Sequence, residues 1–316
     1  MKLKYSIGVD LGGTNIKLGV VRSDGKIKSK ISLPTKAKRG PEFVVKQIIS
    51  GVEELKKKNK VKIVGIGVGS PGSIIHKKGT VENPPNFPGW KRVHLGKLVS
   101  KGTGINVVVE NDANAAAIGE MIYGAGKETK SFIMVTLGTG VGGGIIINRK
   151  IYRGERGAAG EIGHITVNYN GRRCKCGSRG CVETYIGNSY LIEDVKKNLS
   201  KRKDSKIYEI INGDSSISPK VISEAFQYGD DYAVEIIERA GSILGYGLAS
   251  VVNLLDISNI VIGGGVAGFG KPLFASVKSS IIERVMIPFK ENISVRRAKL
   301  RNDAGIKGAA ALAFYK

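Results

Sequence analysis

The residues with the most specific chemistry lie near the middle of the chain. All three cysteines fall within eight residues, as Cys174, Cys176 and Cys181, and His164, one of only three histidines, stands ten residues before the first. Three thiolates and an imidazole complete a tetrahedral zinc shell, and Gly177 and Gly180 supply turns that let the sulfurs point inward. An odd cysteine count and an expected reducing setting speak against a disulfide. Four protein ligands leave no position for water, so the ion is expected to be structural. Its expected effect is to hold Glu161 and Glu183, which bracket the loop, as rigid hydrogen-bond acceptors.

Two glycine-rich turns carry a second kind of chemistry. In the first, Asp10 is followed by Gly12, Gly13, Thr14 and Lys17. A carboxylate at a strand end beside two glycines lets backbone N–H groups approach a phosphate while the carboxylate helps hold its divalent metal. The second spans residues 137–144 and includes Thr139 and Gly140. So many glycines cost backbone entropy, which points to something large approaching the main chain. Residues 145–147 continue as a strand, which excludes the nucleotide loop that ends in Gly-Lys-Ser/Thr before a helix, and equally the dinucleotide fingerprint. The pair suggests a nucleoside triphosphate held between two lobes. Gly264 and Gly265, after a strand at 260–262, are expected to flank the adenosine.

The third element is the run Glu110-Asn111-Asp112-Ala113-Asn114, where a strand hands over to a helix. A carboxylate at a helix N-terminus stays ionised beside the dipole and can take the proton of a substrate hydroxyl that attacks phosphorus, which makes Asp112 the candidate base. Asn111 is placed to bond the same substrate. With Glu161, His164, Glu183 and the Pro- and Asn-rich loop through Asn86 and Trp90, these form a set of neutral and acidic partners that suits a polyol such as a sugar.

Elements must position these groups. Residues 5–9 and 16–21 read as a hairpin with a Gly-rich tip, and residues 132–135 and 145–147 repeat the pattern about 125 residues later. Helices are expected over 42–58, 111–123, 186–198, 219–226, 231–252, 274–284 and 308–315, and strands over 63–69, 106–109 and 260–262, with a loop over 70–90. Alternating strands and helices give an α/β fold with mixed sheets. The expected division is a small N-terminal lobe over 1–110, completed by a C-terminal helix at 303–316, and a large lobe over 111–302 carrying the zinc loop 164–183.

The 316 residues, 41% hydrophobic and 24% charged, exclude a disordered or fibrous chain. No apolar run approaches the ~20 residues of a membrane span, and the N-terminus turns polar before a signal-peptide core develops, so a cytoplasmic protein without membrane partners is expected. The formal charge of +23 attracts polyanions, but the basic residues are scattered over the chain and read as a solvated surface.

The ordered motifs resemble the ROK family (repressors, open reading frames and kinases) over nearly the whole chain. The zinc-loop spacing and the run from Gly157 to His164 carry the likeness, and residues 85–90, 110–114 and 302–305 are most similar to its bacterial-type glucokinases. The resemblance implies a two-lobed actin-like (ribonuclease H-like) ATPase fold, with sugar in the interlobe cleft, ATP with magnesium above it, and a homodimer or homotetramer. It implies Asp112 as general base toward the sugar 6-hydroxyl. Asn86, Asn111, Glu161, His164 and Glu183 would bind the other hydroxyls, with Gly72 contacting the sugar through its backbone. Lys175 stands where the family often has glycine, without altering the cysteine spacing. The hexose itself is set by loop geometry, so N-acetylmannosamine, N-acetylglucosamine and fructose stay open, as does polyphosphate as donor. Repressors of the family carry a helix-turn-helix domain ahead of the phosphate strand. Here that strand begins by Tyr5, and specific nucleic-acid binding is not expected.

Overall fold

The computed structural model describes residues 3–211 and 216–315. In chain order its elements begin β1 (Tyr5–Leu11), β2 (Asn15–Arg22), β3 (Ile27–Pro34), α1 (Pro41–Asn59), β4 (Ile63–Ser70), β5 (Ser73–Ile75), β6 (Thr80–Glu82), β7 (Arg92–Val93), α2 (Leu95–Thr103), β8 (Val107–Asn111) and α3 (Asp112–Tyr123). There follow β9 (Phe132–Leu137), β10 (Val141–Ile147), β11 (Lys150–Tyr152), α4 (Glu183–Ile186), α5 (Asn188–Leu199), α6 (Lys206–Ile211), α7 (Pro219–Gln227), α8 (Asp231–Leu255), β12 (Asn259–Gly264), α9 (Lys271–Arg284), β13 (Ser294–Arg297) and α10 (Ala304–Ala311). Among the described residues, no helix is long and apolar enough to cross a membrane.

Two five-stranded sheets repeat one plan, in the orders β3-β2-β1-β4-β8 and β11-β10-β9-β12-β13. β1 pairs antiparallel with β2 and parallel with β4, which is parallel with β8. Likewise β10 pairs antiparallel with β11, and β12 runs parallel with both β9 and β13. The weak sequence repeat is thus a repeated mixed sheet. Ile7, Val9 and Leu11 of β1 are buried with Ile66 and Val68 of β4, and α1 covers them with Val44, Ile48, Val52 and Leu55 at helical spacing.

Contacts divide the chain into two compact units, the first made of Met1–Lys130, Gly144–Gly160 and Lys299–Lys316, the second of Ser131–Gly143 and Glu161–Ala298. Residue 110, where the sequence places the boundary between lobes, lies inside the first unit. α3 stays with the first unit because it packs on α10 backbone to backbone: a Cβ on Gly308 would lie 2.1 Å from the Ala115 carbonyl oxygen. Glu120 of α3 reinforces this. Fully buried, it accepts backbone N–H bonds from Ala125 at 2.6 Å, Lys299 at 3.1 Å and Leu300 at 2.8 Å. Glu120→Ala would strand three donors and open a void, so we expect chemical denaturation to show a loss of about 3 kcal/mol or more. An unchanged midpoint would refute that role.

Two further expectations are corrected. The stretch 70–90, expected as loop, contains β5 and β6, which join β7 in a small antiparallel sheet of segments two to three residues long, too short for periodicity to reveal. The terminal helix runs from Ala304 to Ala311, starting near the 303 expected for the lobe-completing helix, earlier than the 308–315 expected from the Ala-rich run, and ending before both.

Candidate active site

In the first unit the chemistry collects at the C-terminal ends of three adjacent parallel strands. Register aligns Asp10 of β1 with Gly69 of β4, and Gly69 with Glu110 of β8, so Asp10, next to last in β1, lies beside the strand ends at Ser70 and Asn111. Such an edge is where open α/β sheets bind ligands. The β1–β2 turn carrying Gly12, Gly13 and Thr14 is locked from outside. Thr35 Oγ1 donates to the Gly12 carbonyl at 2.6 Å, and its N–H donates to the Thr14 carbonyl at 2.8 Å. Lys17 pairs with Asp10 across β1 and β2. The Asn86 Cβ lies 3.6 Å from where a Gly13 Cβ would stand, which brings the Asn86 loop to the phosphate turn.

Gly72 adopts φ 90°, and a Cβ there would meet Pro84 at 2.7 Å, so no other residue fits. Its carbonyl accepts the Asn111 side-chain amide at 3.3 Å. Asn111 is the N-cap of α3: its Oδ1 accepts the N–H groups of Ala113 and Asn114 at 2.9 and 3.2 Å. Asp112 is the first helical residue, and its Oδ1 accepts Ala113 N–H at 2.8 Å. Its surface is open to solvent. The mass of protein around it still pushes the carboxyl above the ordinary carboxylate range by desolvation, with the Ala113 N–H pulling the other way. Asp10 is raised too, mainly by burial, lowered in part by Lys17 and raised further by Asp112. The charge of Asp112 therefore bears on Asp10.

In the second unit, β9 and β12 end together, Gly264 facing Leu137 in register. A Cβ on Gly264, at φ 93°, would lie 2.2 Å from the Leu137 carbonyl oxygen, whereas one on Gly138 or Gly265 would meet nothing within 4 Å. Gly138 and Gly265 thus leave main chain open to a ligand. The turn carrying Thr139 and Gly140 is closed by a bond from Gly138 N–H to the Gly140 carbonyl at 2.9 Å. Glu183 serves this turn: its Oε2 accepts the Val141 N–H at 2.9 Å, and a Cβ on Gly140 would stand 2.2 Å from the same oxygen. One of its two oxygens is therefore engaged by the backbone.

The four soft donors come together in the same unit. One ligand atom each from His164, Cys174, Cys176 and Cys181 lie within 4.8 Å of one another, with His164 Nδ1 3.7 Å from Cys174 Sγ and Cys176 Sγ 3.7 Å from Cys181 Sγ. Tetrahedral zinc with Zn–S near 2.3 Å separates two sulfurs by about 3.8 Å, so the donor set fits that ion. The loop is held at Gly180, where a Cβ would overlap the Asn168 carbonyl. Burial pushes the Cys174 thiol up and that of Cys181 to about 12, while the Ser178 backbone N–H lowers Cys176. A cation is what would draw three thiolates from this set. His164 turns Nδ1 to the sulfurs, and its Nε2 lies 3.9 Å from Glu161 Oε2.

The sequence assigns no role to two neighbours, although Gly305 lies in the run 302–305. Gly305 of α10 abuts Asp10, since a Cβ there would stand 2.4 Å from the carboxyl. Asn188 begins α5, donates its N–H to the Gly138 carbonyl at 3.1 Å and keeps a buried Oδ1 that has no partner among the described residues. Only closeness in the fold reveals these.

A profile of the ROK family matches residues 6–316. A glucokinase of Thermotoga maritima is 35% identical, over 98% of this chain and 97% of its own length. One from Streptomyces coelicolor is 38% identical, over 98% of this chain and 97% of its own. In three dimensions the chain is similar to a ROK family glucokinase from Streptomyces griseus solved with glucose and AMPPNP, with TM-score 0.87 and 37% identity, covering 99% of this chain and 100% of that one.

Proposed function

The chain belongs to the ROK family, with its actin-like ATPase fold, and on that premise we propose that it is an ATP-dependent glucokinase that phosphorylates the 6-hydroxyl of glucose. The observation that carries this reading is Asp112, a carboxylate with solvent access and a raised pKa, held by the Asn111 cap at the end of the parallel strands β1, β4 and β8 and two strands from Asp10. The glucokinases among its relatives support the choice of sugar and donor.

Phosphoryl transfer asks a protein mainly for positioning and charge neutralisation. The 6-hydroxyl proton passes to Asp112, the γ-phosphoryl group to the hydroxyl oxygen, and ADP leaves. In this reading Asn86, Asn111 and the Gly72 backbone hold the sugar from the first unit. Asp10, Gly12, Gly13, Thr14 and Lys17 receive phosphate and its magnesium, which when bound neutralises charge on the transferring group. The second unit contributes Thr139 and Gly140 to phosphate, Gly264 and Gly265 to adenosine, and Glu161, His164 and Glu183 to sugar hydroxyls. The two ring nitrogens of His164 allow both its roles: Nδ1 faces the sulfurs, leaving Nε2 for a hydroxyl. Zinc held by His164, Cys174, Cys176 and Cys181 is structural, because four protein ligands close its shell. The reading includes a cytoplasmic homodimer or homotetramer.

Asp112 must be ionised to accept a proton. Because its pKa is raised, turnover is lost as pH falls through that raised value, at a pH above the titration of an ordinary aspartate. The deciding assay is a panel of glucose, fructose, N-acetylmannosamine and N-acetylglucosamine against ATP and polyphosphate, read as sugar 6-phosphate. The reading predicts the highest kcat/KM for glucose with ATP. Faster phosphorylation of an amino sugar, or no product from any pair, would contradict it.

A further inference from the structure

The carboxylate of Glu110 has no part in the roles above, yet it touches the segment that carries them. It lies on β8 and is 1% exposed. Oε1 accepts the Asn111 backbone N–H at 3.0 Å and the Asn114 side-chain amide at 3.2 Å. Oε2 accepts Nε of Arg153 at 2.7 Å and lies 3.4 Å from Nδ1 of His76, which is itself 3.1 Å from the Val109 carbonyl oxygen. A carboxylate offers about four acceptor positions, and each here faces a partner. No neutral side chain of this size could accept from all of them.

These contacts grip the residues on either side of the base. Asn111 caps α3, Asp112 is its first residue and Asn114 its third. The buried Asn114 Oδ1 has no partner among the described residues, so the bond from its amide nitrogen to Glu110 is the polar contact that orients it. The Asn111 N–H donates to Glu110, while the Asn111 Oδ1 accepts the N–H groups of Ala113 and Asn114. Glu110 holds the backbone N–H before Asp112 and the cap holds the two after it, so together they bracket Asp112.

We infer that Glu110 is a positioning residue for the phosphoryl transfer: charge-paired with Arg153 and beside His76, it fixes the strand-to-helix junction so that the Asp112 carboxyl keeps one direction. The inference rests on the kinase reading. An error of about 1 Å at the base is enough to cost two orders of magnitude, which is why a residue that meets no substrate can control turnover. A cavity of about 270 Å³ lined by His76, Val108, Arg153, Leu312 and Tyr315 gives the Arg153 head group room to reach water when its partner is neutral. Glu110→Gln is accordingly expected to fold.

The test is Glu110→Gln in the full chain, with glucose kinetics, thermal melting and amide hydrogen exchange measured together. We expect kcat to fall about 10- to 100-fold with KM for glucose within about threefold, and faster exchange at the Asn111, Ala113 and Asn114 amides. A folded variant with kcat within about twofold of the parent and unchanged exchange overturns the inference. Should Glu110→Gln fail to fold, Arg153→Lys decides: it keeps the charge while withdrawing the Nε bond, and parental kcat in it overturns the inference. Should the parent protein not phosphorylate glucose, the kinase reading fails, and exchange at these three amides alone then decides whether Glu110 holds the junction.

Discussion

Asp112→Ala lowers turnover by ~10² or more while glucose affinity stays within about tenfold, as loss of a positioned base does. The reason lies in how little else the side chain does. Asn111, not Asp112, supplies the N-cap oxygen to Ala113 and Asn114, so the helix start survives the substitution. The same change also removes a carboxylate held at a raised pKa. A carboxyl group whose folded pKa lies above its unfolded one binds its proton more tightly in the fold. It therefore costs stability once pH rises above the unfolded value, and that cost is absent at low pH. Asp112→Asn should accordingly match or exceed the parent in melting temperature at neutral pH while losing turnover. Steady-state kinetics beside thermal melting reads both quantities. Near-parental kcat in either variant removes Asp112 from its role.

Cys181→Ser abolishes stoichiometric zinc and, with it, most of kcat/KM. Outer-shell partners alone change metal affinity 10- to 100-fold, so loss of a ligand costs more than that. Cys181 is fully buried, and the next residues but one lead into the Glu183 carboxylate that holds the Val141 N–H behind the phosphate turn. Freed of its ion, the loop no longer fixes Glu183 on one side or His164 on the other. Lys175→Gly is the control, because it leaves all four donors in place on an exposed position. Metal analysis of protein purified without added metal should give about one zinc per parent chain, the same for Lys175→Gly, and far less for Cys181→Ser. Acidification should release the ion as protons compete for the thiolates. Substoichiometric zinc in a normally folded parent would undo the assignment.

What the sequence made legible was chemistry compressed into short spacings. The cysteine cluster, the glycine-rich turns and the Asp112 junction each declare themselves within a dozen residues, and the structure gathers the same four donors and aligns the same strand ends. What it hid depends on distance in the fold. Glu110 and Glu120 read as ordinary acids until β8 and α3 bury them among donors from Arg153, Lys299 and Leu300. The position of α3 was missed because its seam with α10 is made by Gly119, Ala115 and Gly308, small residues that allow backbone approach without an apolar stripe. Glu183 was read as an acceptor for a ligand alone. Its tie to Val141 could not be seen from positions 42 residues apart.

The central claim is that the Asp112 carboxylate receives the proton of the sugar's primary hydroxyl. Its most direct test is a crystal structure of the protein with glucose and a nonhydrolysable ATP analogue. We predict an Asp112 carboxylate oxygen within about 3 Å of glucose O6, with the γ-phosphate on the far side of that oxygen. A carboxyl group turned from O6, or glucose seated away from the ends of β1, β4 and β8, would contradict the account.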